Sequence, residues 1–88
     1  MIVFITGATA GFGAAIAERF ARDGHRIVAA GRRVERLEEL RKRLGETLWP
    51  VELDVRDRDA VARVFDTLPK EFSALEVLVN NAGLALGL

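Results

Sequence analysis

The chain has 88 residues, room for one domain, and half of them are hydrophobic, so a core can form, although a chain this short buries only roughly 60–65% of its unfolded surface. Lysine plus arginine equals aspartate plus glutamate at 13 each, for a net charge of zero, which gives no electrostatic basis for holding nucleic acid or an anionic membrane. There is no cysteine and one histidine, His25. Disulfides, thiolate zinc sites, a cysteine nucleophile and a histidine metal site are thereby excluded, and the apolar start is too short to span a membrane and lacks a secretory signal's basic lead, so a reducing cytoplasm is the expected setting.

Ile2–Ile5 is a short, continuous apolar run, the pattern of a parallel strand buried on both faces. It leads into Thr6-Gly7-Ala8-Thr9-Ala10-Gly11-Phe12-Gly13, and then into a helix from about Phe12 to Asp23. Gly7 lets the chain turn sharply off the strand. Gly11 removes a side chain where backbone must approach a pyrophosphate, and Gly13 lets the helix pack closely. The amide groups at the helix start would face the phosphates, with the helix dipole favouring their charge, and Thr9 can add a hydroxyl. A glycine pattern alone could be an ordinary turn. Its place between an apolar strand and an amphipathic helix is the context that nucleotide binding requires. A P-loop is excluded, because Gly11-Phe12-Gly13 stands where Gly-Lys-Ser/Thr would be needed. Phe12, Ile16 and Phe20 mark the helix's expected buried stripe, and Gly24 its C-terminal cap.

The second strand is expected over Arg26–Ala30, with His25 exposed at its start. Gly31-Arg32-Arg33 follows. A carboxylate about 20 residues beyond the glycine loop would hold the ribose 2′-OH of NAD. Here two guanidinium groups stand instead, and these suit the 2′-phosphate of NADP. The second helix is read over Val34–Leu44, with Val34, Leu37, Leu40 and Leu44 inward and Gly45 at its end. Its outer face offers Glu38–Lys42 and Glu39–Arg43 pairs. A third strand spans Leu48–Leu53, with Trp49 at a sheet edge. Asp54 and Val55 close it, where the carboxylate can accept from an adenine amino group and the Val55 amide can meet the ring. Equally, Asp54 can cap the next turn. The third helix covers Arg58–Leu68, capped by Asp57 and stopped by Pro69, with Val61, Val64, Phe65 and Leu68 inward. A fourth strand, Glu76–Val79, ends at Asn80-Asn81-Ala82-Gly83. That segment reads either as a plain turn or as two amides beside space for a ribose.

Strand and helix alternate three times before the fourth strand. Parallel strands need such crossovers, and right-handed crossovers give an α/β fold: half of a Rossmann-type doubly wound parallel sheet, ordered 3-2-1-4, with three helices. The fourth strand would present an apolar edge that invites pairing with another chain.

Thr-Gly-x-x-x-Gly-x-Gly at Thr6–Gly13, Asp54-Val55 and Asn80-Asn-Ala-Gly83 together resemble the classical short-chain dehydrogenase/reductases, across the whole 88 residues. Within them the sequence is most similar to NADP-dependent 3-hydroxy acid dehydrogenases, also described as serine dehydrogenases and malonic semialdehyde reductases. That likeness rests on Thr6–Gly13 with its Phe12, on Gly31-Arg-Arg33 followed by Glu35–Leu40, and on Asn80–Gly87. The resemblance implies that Gly7, Thr9, Ala10, Gly11, Phe12 and Gly13 line the pyrophosphate and Arg32 and Arg33 the 2′-phosphate. It implies Asp54 and Val55 at the adenine, and Asn81, Ala82 and Gly83 at the nicotinamide-side ribose, with Asn80 helping to hold the sheet. It further implies hydride transfer between NADP(H) and a small hydroxy or oxo acid, and a homo-oligomer.

The family's catalytic Ser, Tyr and Lys, with a supporting Asn, lie beyond residue 88. This chain has no tyrosine. Its single serine, Ser73, precedes the fourth strand at the wrong end of the sheet, and Lys42 and Lys70 lie on helix or loop surfaces. No catalytic residue is therefore assigned here. Residues 1–88 are expected to be the NADP-binding half-domain of a larger single-domain enzyme. The alternative is a non-catalytic dinucleotide-binding or interaction module, and a downstream Tyr-x-x-x-Lys separates the two.

Overall fold

Short runs of β-branched residues pair in register to form a parallel sheet, and the helices between them cover its two faces. The computed structural model describes residues 1–9 and 11–80. Its elements are β1 (Ile2–Thr6), α1 (Gly11–Arg22), β2 (Arg26–Gly31), α2 (Val34–Leu44), β3 (Leu48–Glu52), α3 (Arg58–Thr67) and β4 (Val77–Asn80), with 3₁₀ turns at Gly45–Thr47 and Lys70–Phe72. The sheet order is β3-β2-β1-β4, all parallel, as the alternation of elements predicts.

Side chains alternate across a strand, so each strand feeds two cores. Val3, Ile5, Ile27, Ala29 and Leu48 meet Ala17 of α1 and Leu37 and Leu40 of α2. Phe4, Val28, Ala30 and Leu53 meet Val64 of α3 and Phe72. Helix ends fall where the sequence placed them. Gly24 takes φ 87°, and the amides of Gly24 and His25 donate to the carbonyls of Ala21 and Phe20, both at 3.0 Å, a left-handed cap closing α1. The Asp57 carboxylate accepts from the Ala60 amide at 3.1 Å, capping α3.

Several packing expectations are corrected. Phe12 is not inward: it is 80% exposed, while Gly13 and Ala17 are the buried residues of α1. The helix start lies too near the loop after β1 for a large side chain at Gly13, so small residues take the inner face. Val34 and Phe65 are exposed too, although the Phe65 ring stacks on Phe4 with centroids 5.3 Å apart. His25 is half-buried, its ring edge-on to Phe20 at 5.7 Å. Arg43 pairs with Glu18 across the α1–α2 interface. Leu78 is 65% exposed, in keeping with the apolar edge expected of the fourth strand, since β4 pairs with β1 alone among the described residues.

Candidate cofactor site

β1 is flanked by β2 on one side and β4 on the other, so the loop after β1 stands at the switch point of the sheet, where open α/β folds leave a crevice beyond the strand ends. Gly7 leaves the strand at φ 63°, a left-handed conformation that side chains disfavour. The Ala8 amide then donates to the Ala30 carbonyl of β2 at 3.0 Å, and Ala8 is fully buried. Thr9 lies against Gly31, where an added Cβ would stand 2.9 Å from Thr9 Cγ2 and 3.2 Å from Thr9 Oγ1. A side chain at Gly31 would therefore press on the Thr9 side chain and oblige it to shift. Sequence reasoning gave Gly31 no role, although a glycine closing a β-branched run was a visible signal.

The opening turn of α1 packs on that loop. A Cβ at Gly13 would stand 2.2 Å from the Gly7 carbonyl oxygen and 2.8 Å from Ala8 Cα, whereas a Cβ at Gly11 would meet nothing within 4 Å. Gly13 is closed off by backbone and Gly11 faces open space. The first amides of a helix have no intrahelical acceptor, and they carry the positive end of its dipole. A backbone donor set with room in front of it fits a pyrophosphate. Sequence reasoning assigned the Gly13 contact to helix–sheet packing, and its sharpest element is the loop's own carbonyl.

Arg32 and Arg33 follow β2, and both are exposed. Arg33 is the residue preceding α2, and its carbonyl accepts from the amides of Arg36 and Leu37 at 3.2 and 3.1 Å. Its side chain makes no capping bond, as expected of a guanidinium, which carries donors only. A hollow of about 300 Å³ between the loop, α1 and α2 is lined by Ala8, Thr9, Ala14, Arg36 and Leu40 among others. Arg36, one turn into α2 from the arginine pair, was not singled out from the sequence. A larger hollow of about 470 Å³, lined by Arg26, Trp49 and Phe72 among others, lies at the opposite end of the strands and holds none of the expected site residues.

Past β3, Asp54 is half-buried and already engaged. Its Oδ1 accepts from the Arg56 amide and from Arg56 Nε, both at 3.0 Å, and its Oδ2 accepts from Arg56 Nη2 at 2.8 Å. The Arg56 guanidinium, then its amide, hold the Asp54 carboxyl well below the usual carboxylate range, and the Arg32 charge pulls the same way. The turn-capping reading of Asp54 is thus realised through Arg56, a residue the sequence reading did not consider. The Val55 side chain packs against the α3-side core, which leaves its backbone as the candidate contact. Ala10, Asn81, Ala82 and Gly83 lie outside the described residues. Among the described residues, no group of three His, Cys, Asp or Glu could hold a metal, and no helix is long and apolar enough to cross a membrane.

A family model described as short chain dehydrogenase matches residues 1–87. The chain belongs to the short-chain dehydrogenase family. It is 54% identical, over all of its 88 residues, to the NADP-dependent 3-hydroxy acid dehydrogenase YdfG of Escherichia coli O6:H1, of which it spans 36%. A probable NADP-dependent dehydrogenase of Dichelobacter nodosus is 49% identical over 87 residues, and the chain spans 82% of it. Among solved structures, serine dehydrogenase from Escherichia coli superposes with a TM-score of 0.89 at 51% identity, over 92% of this chain and 38% of that one. The closed form of serine dehydrogenase complexed with NADP+ gives 0.90 at 51% identity, over 92% and 33%. The chain spans about a third of the length of the YdfG relatives, 36%.

Proposed function

We propose that residues 1–88 form the NADP(H)-binding half of a short-chain dehydrogenase that, as a whole protein, transfers hydride between NADP(H) and a small 3-hydroxy or 3-oxo acid. One observation carries the cofactor reading. The Ala8–Ala30 hydrogen bond and the seating of Thr9 on Gly31 join the glycine loop to the end of β2, so the amide-rich helix start and the Arg32–Arg33 pair share one edge of the sheet.

The amides of Gly11, Phe12 and Gly13 bind the pyrophosphate, with Gly7 setting the turn and Thr9 and Ala10 lining it. Arg32 and Arg33 grip the 2′-phosphate, a planar donor fork suited to its oxygens. Asp54 and Val55 flank the adenine, and Asn81, Ala82 and Gly83 the nicotinamide-side ribose. When bound, the cofactor supplies or accepts the hydride. The described residues bind and orient it, and the proton-transfer groups are contributed by the rest of the protein. The substrate class rests on the printed names of the relatives, NADP-dependent 3-hydroxy acid dehydrogenase and serine dehydrogenase.

Binding of the two cofactors tests the reading. The double variant Arg32→Asp, Arg33→Ala is expected to weaken NADPH by about 100-fold or more while NADH changes little, the cost of losing two charge-assisted phosphate contacts. An unchanged ratio of NADPH to NADH dissociation constants would remove the 2′-phosphate assignment.

A further inference from the structure

Charged groups gather just past the ends of β2 and β3. The ladder between these strands reaches Gly31 opposite Glu52, and the Leu53 amide still donates to the Gly31 carbonyl at 2.8 Å. Arg32 thus falls opposite Leu53, one residue short of Asp54, close enough that its charge acts on the Asp54 carboxylate. The chain then turns so that Arg56 closes on Asp54 with both its guanidinium and its amide. The pair is at the surface, with side chains 67% and 37% exposed, so it contributes little to stability. Its effect is on the charge that the site presents.

We propose that Arg56 is a specificity-determining residue for NADP(H): by covering the Asp54 carboxylate, it cancels a negative charge that would otherwise oppose the 2′-phosphate beside Arg32. The inference rests on the cofactor reading above. A bare carboxylate here disfavours the phosphate in two ways: it repels the phosphate directly, and it competes for the Arg32 guanidinium that should grip it. The fork of Arg56 removes both effects, because Asp54 already has a partner of matching geometry. Arg32, Arg33 and Arg56 set against Asp54 then leave an excess of two positive charges where the phosphate would lie.

Calorimetry on the full chain with two probes, adenosine 2′,5′-bisphosphate and adenosine 5′-monophosphate, isolates the 2′-phosphate. The unaltered protein is expected to prefer the bisphosphate. Arg56→Gln should weaken the bisphosphate about fivefold and the monophosphate less than about twofold, the scale of one unit charge acting on a phosphate across partly screened solvent. Arg56→Lys should keep most of the preference, and Arg56→Gln with Asp54→Asn should restore it. Asp54→Asn alone, which unmasks Arg56, should raise the bisphosphate-to-monophosphate preference. A purely structural role would weaken both probes in parallel in Arg56→Gln and leave the preference unchanged. That result, with a normal preference in the parent, overturns this inference alone. Should Arg56→Gln not fold, an unchanged preference in Asp54→Asn overturns it instead. No preference in the parent overturns the cofactor reading, and this inference with it.

Discussion

The loop behind β1 and the turn behind β3 stand on the same edge of the sheet and use different chemistry. Behind β1 the geometry is made by backbone. Gly13 lies so close to the Gly7 carbonyl that a Cβ would stand 2.2 Å from it, and Ala8 is stitched into β2. Behind β3 the arrangement is made by side chains at the surface, a forked Arg56–Asp54 pair with Arg32 nearby. Steric exclusion in a packed interior is steep and barely depends on solution conditions. Exposed charge pairing is shallow, and salt and pH tune it. On the proposed reading, the first region would set whether a nucleotide can approach at all, and the second which nucleotide is preferred.

The two glycines of the loop give the largest expected effects and the sharpest break. Gly13→Ala should destabilise the full chain by about 2–3 kcal/mol or more in urea unfolding, because backbone must move to admit the methyl. Gly11→Ala should leave stability unchanged or raise it by up to about 1 kcal/mol, the helix preference of alanine over glycine. It should nonetheless weaken NADPH binding, because the methyl enters the space in front of the first helical amides. Equal stability losses in the two variants would erase the distinction between a closed and an open side of the loop.

A smaller effect sharpens the other side of the comparison. Asp54 ionises in the folded chain well below its ordinary range, so the unfolded chain takes up its proton first as pH falls. The stability it contributes is complete at pH values above the ordinary carboxylate range, is lost as pH falls through and below that range, and is modest because the pair is exposed. Asp54→Asn should therefore flatten the acid limb of a plot of unfolding free energy against pH, and do so less in high salt. An acid limb identical to that of the parent would mean that the forked pair does not form in solution.

Much of the fold could be read from local chemistry. The Val- and Ile-bearing runs gave the strands, Gly24 and Gly45 the ends of α1 and α2, and Asp57 the start of α3, since each signal acts within a few residues of itself. The packing of α1 was less legible. Phe12, Ile16 and Phe20 form a regular stripe, yet Gly13 must face Gly7, and that contact, made by the turn between them, leaves Phe12 80% exposed. The exposure of Leu78 was legible, because the expected order 3-2-1-4 already set the fourth strand at an apolar edge. At the site, the glycine loop and the arginine pair stood out because their neighbours in sequence are also their structural context. Arg56 did not, because its role depends on a turn that folds residue 56 back onto residue 54. Gly31 was passed over because its partner, Thr9, lies a whole helix away in sequence.

The central claim is that the opening amides of α1 are aimed at a diphosphate. Amide resonances of the full chain, followed by ¹⁵N–¹H spectroscopy during titration with NADP+, test it most directly. The account predicts that Gly11, Phe12 and Gly13 shift most strongly and saturate together with the Arg32 and Arg33 signals. Shifts confined to the hollow around Arg26, Trp49 and Phe72 at the opposite end of the strands, with the loop amides unmoved, would contradict it.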